Sequence, residues 1–170
     1  MEYNQPSELI KALDFGDEAK LKVLAGVDKL ARAVKSTLGA SGKCVIYEDA
    51  RGMPVITKDG VTVAESVVLY DPVENIGATL IKEAARNTVK EAGDGTTTAT
   101  VLAQSLLHTV REVHLPVRTV KEGLKSGLVK VMDYLDKASV KIEGDMLKSV
   151  SSISCNNDEE LGEIIAEAYS

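Results

Sequence analysis

The segment Gly93-Asp94-Gly95-Thr96-Thr97-Thr98-Ala99-Thr100 puts two glycines, one carboxylate and a run of hydroxyls into a turn that leads into a helical pattern. Unpaired backbone N–H groups and the positive end of the helix dipole converge at a helix start, so negative charge is favoured there. Gly93 and Gly95 remove side chains where the backbone must approach phosphate oxygens. Thr96, Thr97 and Thr98 offer hydroxyl donors, and Asp94 offers a hard oxygen ligand. A bare phosphate would be repelled by Asp94; a magnesium ion bridging the carboxylate and the phosphate oxygens removes the conflict. Taken alone, the same residues also describe a helix C-cap, a turn and an N-cap. GxxxxGK[ST] and a GxGxxG in a βαβ unit are both missing from the sequence, so a nucleotide site here must be of another kind.

Two further turns carry residues of matching chemistry. Thr37-Leu38-Gly39-Ala40-Ser41-Gly42-Lys43 is rich in small residues at a helix end, and Thr57-Lys58-Asp59-Gly60 sets an amine beside a carboxylate. Read singly, the first is usually a helix stop with its loop and the second a solvated turn pair. Other chemistry has little support. Cys44 and Cys155 stand far apart without a CxxC or a Cys/His cluster, which argues against zinc or a disulfide framework. His108 and His114 have no obvious nucleophile or metal-ligand partner in the sequence and read as helix-surface or helix-end residues.

The elements that must position these turns are mostly helices. Leu21, Leu24, Val27, Leu30, Ala31, Val34 and Leu38 recur at steps of three and four, which predicts an amphipathic helix over 17–38, ended by Gly39. Cys44–Tyr47 and Pro54–Thr57 are short β-branched stretches joined by a longer loop, which suits a hairpin. Asp59 is placed to cap a short helix through Val67 before Asp71-Pro72 interrupts it. A long helix then carries Ile76, Leu80, Ile81, Ala84, Ala85 and Thr88 on its apolar face and Lys82, Glu83, Arg86 and Lys90 on the other, stopping near Gly93. Helices over about 97–113 and 118–137 follow, the first with Val101, Leu102, Leu106 and Val110 and the second with Val120, Leu124, Leu128, Val131, Met132 and Leu135 inward. Gly123 and Gly127 in the latter suit either close helix approach or simple tolerance. The character changes around 138–144, and two shorter helices, 145–153 and one capped by Asn157 or Asp158, complete a mainly α chain. The last apolar face still needs a partner where the sequence ends, so the second unit is expected to be incomplete as given.

Composition narrows the partners. The chain has 170 residues, 44% hydrophobic, with 26 acidic against 20 basic residues and no Trp. The basic residues are dispersed, which argues against nucleic acid and a membrane surface. The first residues carry no basic region followed by an apolar run, and no window approaches a membrane span, so a soluble cytoplasmic protein is the expectation.

Leu38-Gly39-x-x-Gly42, Ile56-Thr57-Lys58-Asp59-Gly60-Val61 and Ala92-Gly93-Asp94-Gly95-Thr96-Thr97-Thr98-Ala99-Thr100-Val101-Leu102-Ala103-Gln104 resemble, in order and approximate spacing, the group I chaperonins, the bacterial GroEL family. The resemblance extends from Phe15-Gly16 to Ile164-Ile165-Ala166-Glu167-Ala168. It implies that residues 1–138 form the N-terminal half of an ATP-binding equatorial domain and that 139–170 begin an intermediate domain. It implies ATP and Mg2+ as cofactors, with K+ as an optional second cation, and a ring of full-length subunits that hydrolyses ATP and handles unfolded client proteins, with a co-chaperonin as an optional partner. By matching positions, Thr37, Leu38, Gly39 and Ala40 border the nucleotide and Lys58 lies near its phosphates. Asp94 holds the metal, Gly95, Thr96, Thr97 and Thr98 wrap the phosphates, and Asp59 is the catalytic carboxylate beside the reacting phosphate. Where the family usually has Leu-Gly-Pro-Lys-Gly, this chain has Leu38-Gly39-Ala40-Ser41-Gly42, without the φ restriction of proline and with one positive charge fewer, which predicts a looser loop. The family's second catalytic aspartate falls outside the matched residues. The alternative is a naturally short, non-hydrolysing, chaperonin-like assembly or interaction module.

Overall fold

Three aspartates decide where helices begin. Asp59 accepts hydrogen bonds from the N–H groups of Val61 and Thr62, Asp71 from those of Val73 and Glu74, and Asp158 from that of Leu161. Each bond satisfies an N–H group that the helix itself cannot. In the computed structural model, which describes residues 13–39, 41–155 and 157–169, the helices are α1 (Gly16–Lys35), α2 (Gly60–Ser66), α3 (Pro72–Ala92), α4 (Thr96–Glu112), α5 (Val117–Ala138), α6 (Asp145–Ser154) and α7 (Glu159–Ala168). Strands β1 (Val45–Glu48) and β2 (Pro54–Thr57) pair antiparallel with Val45 opposite Thr57 and Glu48 opposite Pro54. The mainly α class with a small hairpin is the one expected from the sequence.

Several boundaries differ from the sequence expectation. α1 stops at Lys35 and turns through Ser36 and Thr37, so exposed Leu38 lies outside the helix. β1 runs one residue later than Cys44–Tyr47. Asp71-Pro72 starts α3, with the proline in the first turn, where its missing N–H removes no helical bond. Asp158, not Asn157, caps α7.

The chain divides after His114 into two compact units. In the first, the core is Val27, Leu30 and Val34 of α1, Val63 and Ala64 of α2, and Ala78 and Ile81 of α3. Each large aliphatic side chain buried there contributes about 1.5–3 kcal/mol relative to exposure. Backbone contact decides how α1 and α3 meet. A Cβ added to Gly26 would fall inside the Glu74 carbonyl, and one added to Gly77 inside the Val23 carbonyl. The two helices therefore touch main chain to main chain. That approach turns α3 away from its expected face: Gly77, Ala78, Ile81, Lys82 and Ala85 are buried, while Ile76 and Leu80 are 56% and 57% exposed.

α4 is turned in the same sense. Thr96 and Thr100 are its buried residues, whereas Leu102 and Leu106 are 58% and 49% exposed. Thr96, Thr100, Gln104 and His108 form a four-residue row, and its last two members meet α1, where Asp28 Oδ1 accepts from Gln104 Nε2 at 2.6 Å and lies 2.7 Å from His108 Nε2. Burial pulls the Asp28 carboxyl upward in pKa, but hydrogen bonds from His108 and Gln104 and the charges of His108 and Arg32 outweigh it, so it is held below the usual carboxylate range.

In the second unit, α5 has no buried residue, so Leu124, Leu128, Val131, Met132 and Leu135 are exposed and not inward as the spacing predicts. A Cβ at Gly123 or Gly127 would meet nothing within 4 Å, so neither glycine marks a close approach among the described residues. α6 and α7 pack on small residues: a Cβ at Gly162 would strike Ser152, and Ser151 and Ala166 are buried. Lys148 Nζ bonds Glu163 Oε1 at 2.7 Å across that pair.

Candidate functional site

The three turns singled out in the sequence come together in the first unit. Gly60, the first residue of α2, is buried. A Cβ placed on it would collide with the Thr97 hydroxyl in the first turn of α4 and lie 3.6 Å from the Thr37 hydroxyl just beyond α1. Only a residue without a side chain lets the start of α2 sit on both hydroxyls. Gly60 was not among the expected binding residues. Its signal is its place directly after the capping Asp59.

The turn after α1 is folded on itself. Thr37 Oγ1 donates to the Val34 carbonyl at 2.7 Å. Gly39 has φ +73°, Gly42 N–H donates to the Gly39 carbonyl at 2.9 Å, and Lys43 N–H closes the loop on the Ser36 carbonyl at 2.8 Å. A Cβ at Gly42 would run into the Thr37 carbonyl. Leu38 and Gly39 are exposed along this turn; Ala40, expected beside them at the nucleotide, lies outside the described residues.

In the second turn, Asp59 is held by its neighbours. Thr62 Oγ1 donates to Oδ2 at 2.5 Å, Thr62 N–H at 2.9 Å and Val61 N–H to Oδ1 at 3.3 Å. Burial raises the Asp59 pKa, the bonds from Thr62 and Val61 lower it by more, and the carboxylate is stabilised in its ionised form. Lys58, beside it, is exposed and makes no hydrogen bond or ion pair with the described residues.

The third turn joins α3 to α4 through two left-handed glycines. Gly93 (φ +77°) ends α3, its N–H bonded to the Val89 carbonyl, and Gly95 (φ +87°) precedes α4. Asp94 between them is exposed, and its Oδ1 accepts from Gly95 N–H at 2.6 Å. No side chain caps α4. Its first N–H groups, from Thr96 to Thr98, are those an α-helix leaves without an internal partner. Thr96 is buried, Thr97 half-buried and Thr98 exposed. One turn further in, the Thr100 hydroxyl is fully buried and has no hydrogen bond among the described residues.

The donor set decides what metal this arrangement suits. Among the described residues no three His, Cys, Asp or Glu side chains gather into a metal cage. Magnesium does not need such a cage, being usually held by one or two carboxylates with water and substrate phosphates. A single exposed carboxylate next to free helix N–H groups fits that pattern. Cys44 is exposed and Cys155 half-buried, both as free thiols.

The first unit is thus a helical scaffold that brings three glycine-bearing turns to the start of α4. Residues 30–170 match the TCP-1/cpn60 chaperonin family, and the chain belongs to that family. Its fold is similar to that of the chaperonin gp146 from the bacteriophage EL 2 (Pseudomonas aeruginosa), whose crystals were obtained in the presence of ATP-BeFx. One crystal form superposes with a TM-score of 0.80 and another with 0.79, each at 29% identity over 91% of this chain. The chain spans 28% of the length of that relative. Among the described residues, no helix is long and apolar enough to cross a membrane.

Proposed function

We propose that this chain supplies the phosphate- and magnesium-binding part of the ATP site of a chaperonin subunit, and that the complete subunit uses ATP hydrolysis to assist protein folding in the cytoplasm. The observation that carries the proposal is Gly60, whose missing side chain lets the Asp59 turn sit on the hydroxyls of Thr37 and Thr97. Residues 1–138 belong to the equatorial ATP-binding domain and 139–170 begin the intermediate domain. Thr37, Leu38, Gly39 and Ala40 border the nucleotide, and Lys58 offers its charge to the phosphates. The backbone N–H groups of Thr96, Thr97 and Thr98 and the dipole of α4 receive phosphate oxygens, with Gly95 leaving the approach open. Asp94, whose Oδ1 accepts from Gly95 N–H, would hold Mg2+, and the ion would supply charge neutralisation at the phosphates. Asp59, fixed and ionised by its cap bonds, orients the attacking water. Likeness to a chaperonin crystallised with ATP-BeFx supports this reading. K+ is an optional second cation, other copies of the subunit form a ring, and unfolded polypeptides are the clients.

ATP turnover by the native full-length chain tests the proposal. Magnesium-dependent hydrolysis lost in Asp94→Ala and in Asp59→Asn is the expected result. Hydrolysis that both variants retain would reject the assigned site, and a stable short monomer that binds nucleotide without turnover would favour an interaction module instead.

A further inference from the structure

α2 has only seven residues, too few to hold a helix by its own hydrogen bonds. One end carries Asp59 and Gly60 onto Thr37 and Thr97. At the other end Val67 packs on the core, and Glu65 makes the polar fastening. Arg86 of α3 grips its carboxylate in a fork, Nε to Oε1 at 2.5 Å and Nη2 to Oε2 at 2.6 Å. One helical turn earlier on α3, Lys82 donates to the Glu65 backbone carbonyl at 3.2 Å. Lys82 is only 9% exposed, so its ammonium is spent inside the unit on a helix C-terminal carbonyl, where positive charge complements the dipole. Between the two ends, Val63 and Ala64 are buried in the core and resist sideways movement.

Apolar packing of two small side chains fixes a helix laterally but says little about its position along its axis. The planar fork does, because two parallel bonds from a guanidinium allow one orientation of the carboxylate. From Glu65 to Asp59 is about 9 Å along the helix at about 1.5 Å per residue, so a rigid α2 transmits any shift at Glu65 directly to the Asp59 turn.

We infer that Glu65 and Arg86, with Lys82 beneath them, are positioning residues that set where Asp59 stands relative to Thr97 and hence the rate of the phosphoryl step. The inference rests on the ATP-site reading above. Since Thr37 and the α4 turn are untouched by the clamp, it acts on turnover and not on nucleotide affinity.

The native full-length chain with Glu65→Ala, Arg86→Ala, the double variant and Arg86→Lys provides the test. Each alanine variant is expected to lower kcat about tenfold, since misplacement of a reacting group by about an ångström is enough for a loss of that order or more. KM for ATP is expected to stay within about twofold, the double variant to be no slower than either single one, and Arg86→Lys to recover part of the loss. Amide exchange at Val61 and Thr62, whose N–H groups bond Asp59, is expected to quicken in the same variants at unchanged melting temperature. Wild-type kcat in Arg86→Ala, losses that add in the double variant, or undisturbed exchange at Val61 and Thr62 would overturn the inference. Unsubstituted protein that does not hydrolyse ATP would overturn the site reading instead, and the exchange at Val61 and Thr62 would still report on the clamp.

Discussion

Asp59 combines two tasks on one carboxylate: it caps α2 by accepting from Val61, Thr62 N–H and Thr62 Oγ1, and in the proposed site it orients water. Substitution separates them. Asn keeps an acceptor at the cap, so Asp59→Asn is expected to melt near the wild type while losing turnover. Asp59→Ala removes the cap as well and is expected to lose about 1 kcal/mol of stability, read from thermal or urea unfolding. The pH dependence follows from the depressed pKa. The folded state favours the ionised carboxylate, so its contribution is fully present above the ordinary carboxylate pKa and disappears as pH falls through the lower folded-state value. The stability gap between wild type and Asp59→Ala is therefore expected to narrow on acidification. Asp28 follows the same direction through its bonds to His108 and Gln104.

The starts of α2 and α7 were legible because they depend on local chemistry: Asp59 before a helical pattern marks a cap, and Asp158 was one of two candidates for the other, whereas Asp71-Pro72 read as an interruption and in fact caps and opens α3. The hairpin was legible for a similar reason, as two β-branched runs with a longer loop. The rotation of α3 and α4 was not. Hydrophobic spacing assumes that the largest apolar residues face inward, but α1 and α3 meet where Gly26 and Gly77 admit the neighbouring backbone, and that contact outranks Ile76 and Leu80. The row Thr96, Thr100, Gln104 and His108 was similarly hidden, since its four-residue spacing is regular but its members are polar. Each of the three turns could be read in the sequence with its own chemistry. Their meeting at Gly60 depends on tertiary packing, and the only local hint was that Gly60 directly follows the capping Asp59. Glycine substitutions check this account. Gly77→Ala is expected to destabilise the protein by about 1–3 kcal/mol, as overpacking of a tight contact does. Gly123→Ala, where a Cβ would meet nothing within 4 Å, is expected to stabilise α5 by up to about 1 kcal/mol through helix propensity. Chemical denaturation of the two variants, compared with wild type, reads both signs.

At the scale of the whole molecule, the chain belongs to the TCP-1/cpn60 chaperonin family and spans 28% of the length of the gp146 chaperonin it resembles. If the proposed reading holds, the native full-length chain is expected to sediment as a closed oligomer and not as a monomer in analytical ultracentrifugation. The division of labour between the two units also bears on the site: every residue assigned to phosphate, metal or water lies before His114, in the unit built on α1 to α4. In the proposed site the Gly93–Thr98 turn, with Thr37 and the Asp59 turn against it, would hold the phosphates of ATP through magnesium. Calorimetric titration of ATP into the native full-length chain, with and without Mg2+, tests it most directly when repeated on Asp94→Ala. Tight binding that requires Mg2+ and is lost in Asp94→Ala is the expected result. Equal affinity for ATP in the wild type and Asp94→Ala, with or without Mg2+, would contradict it.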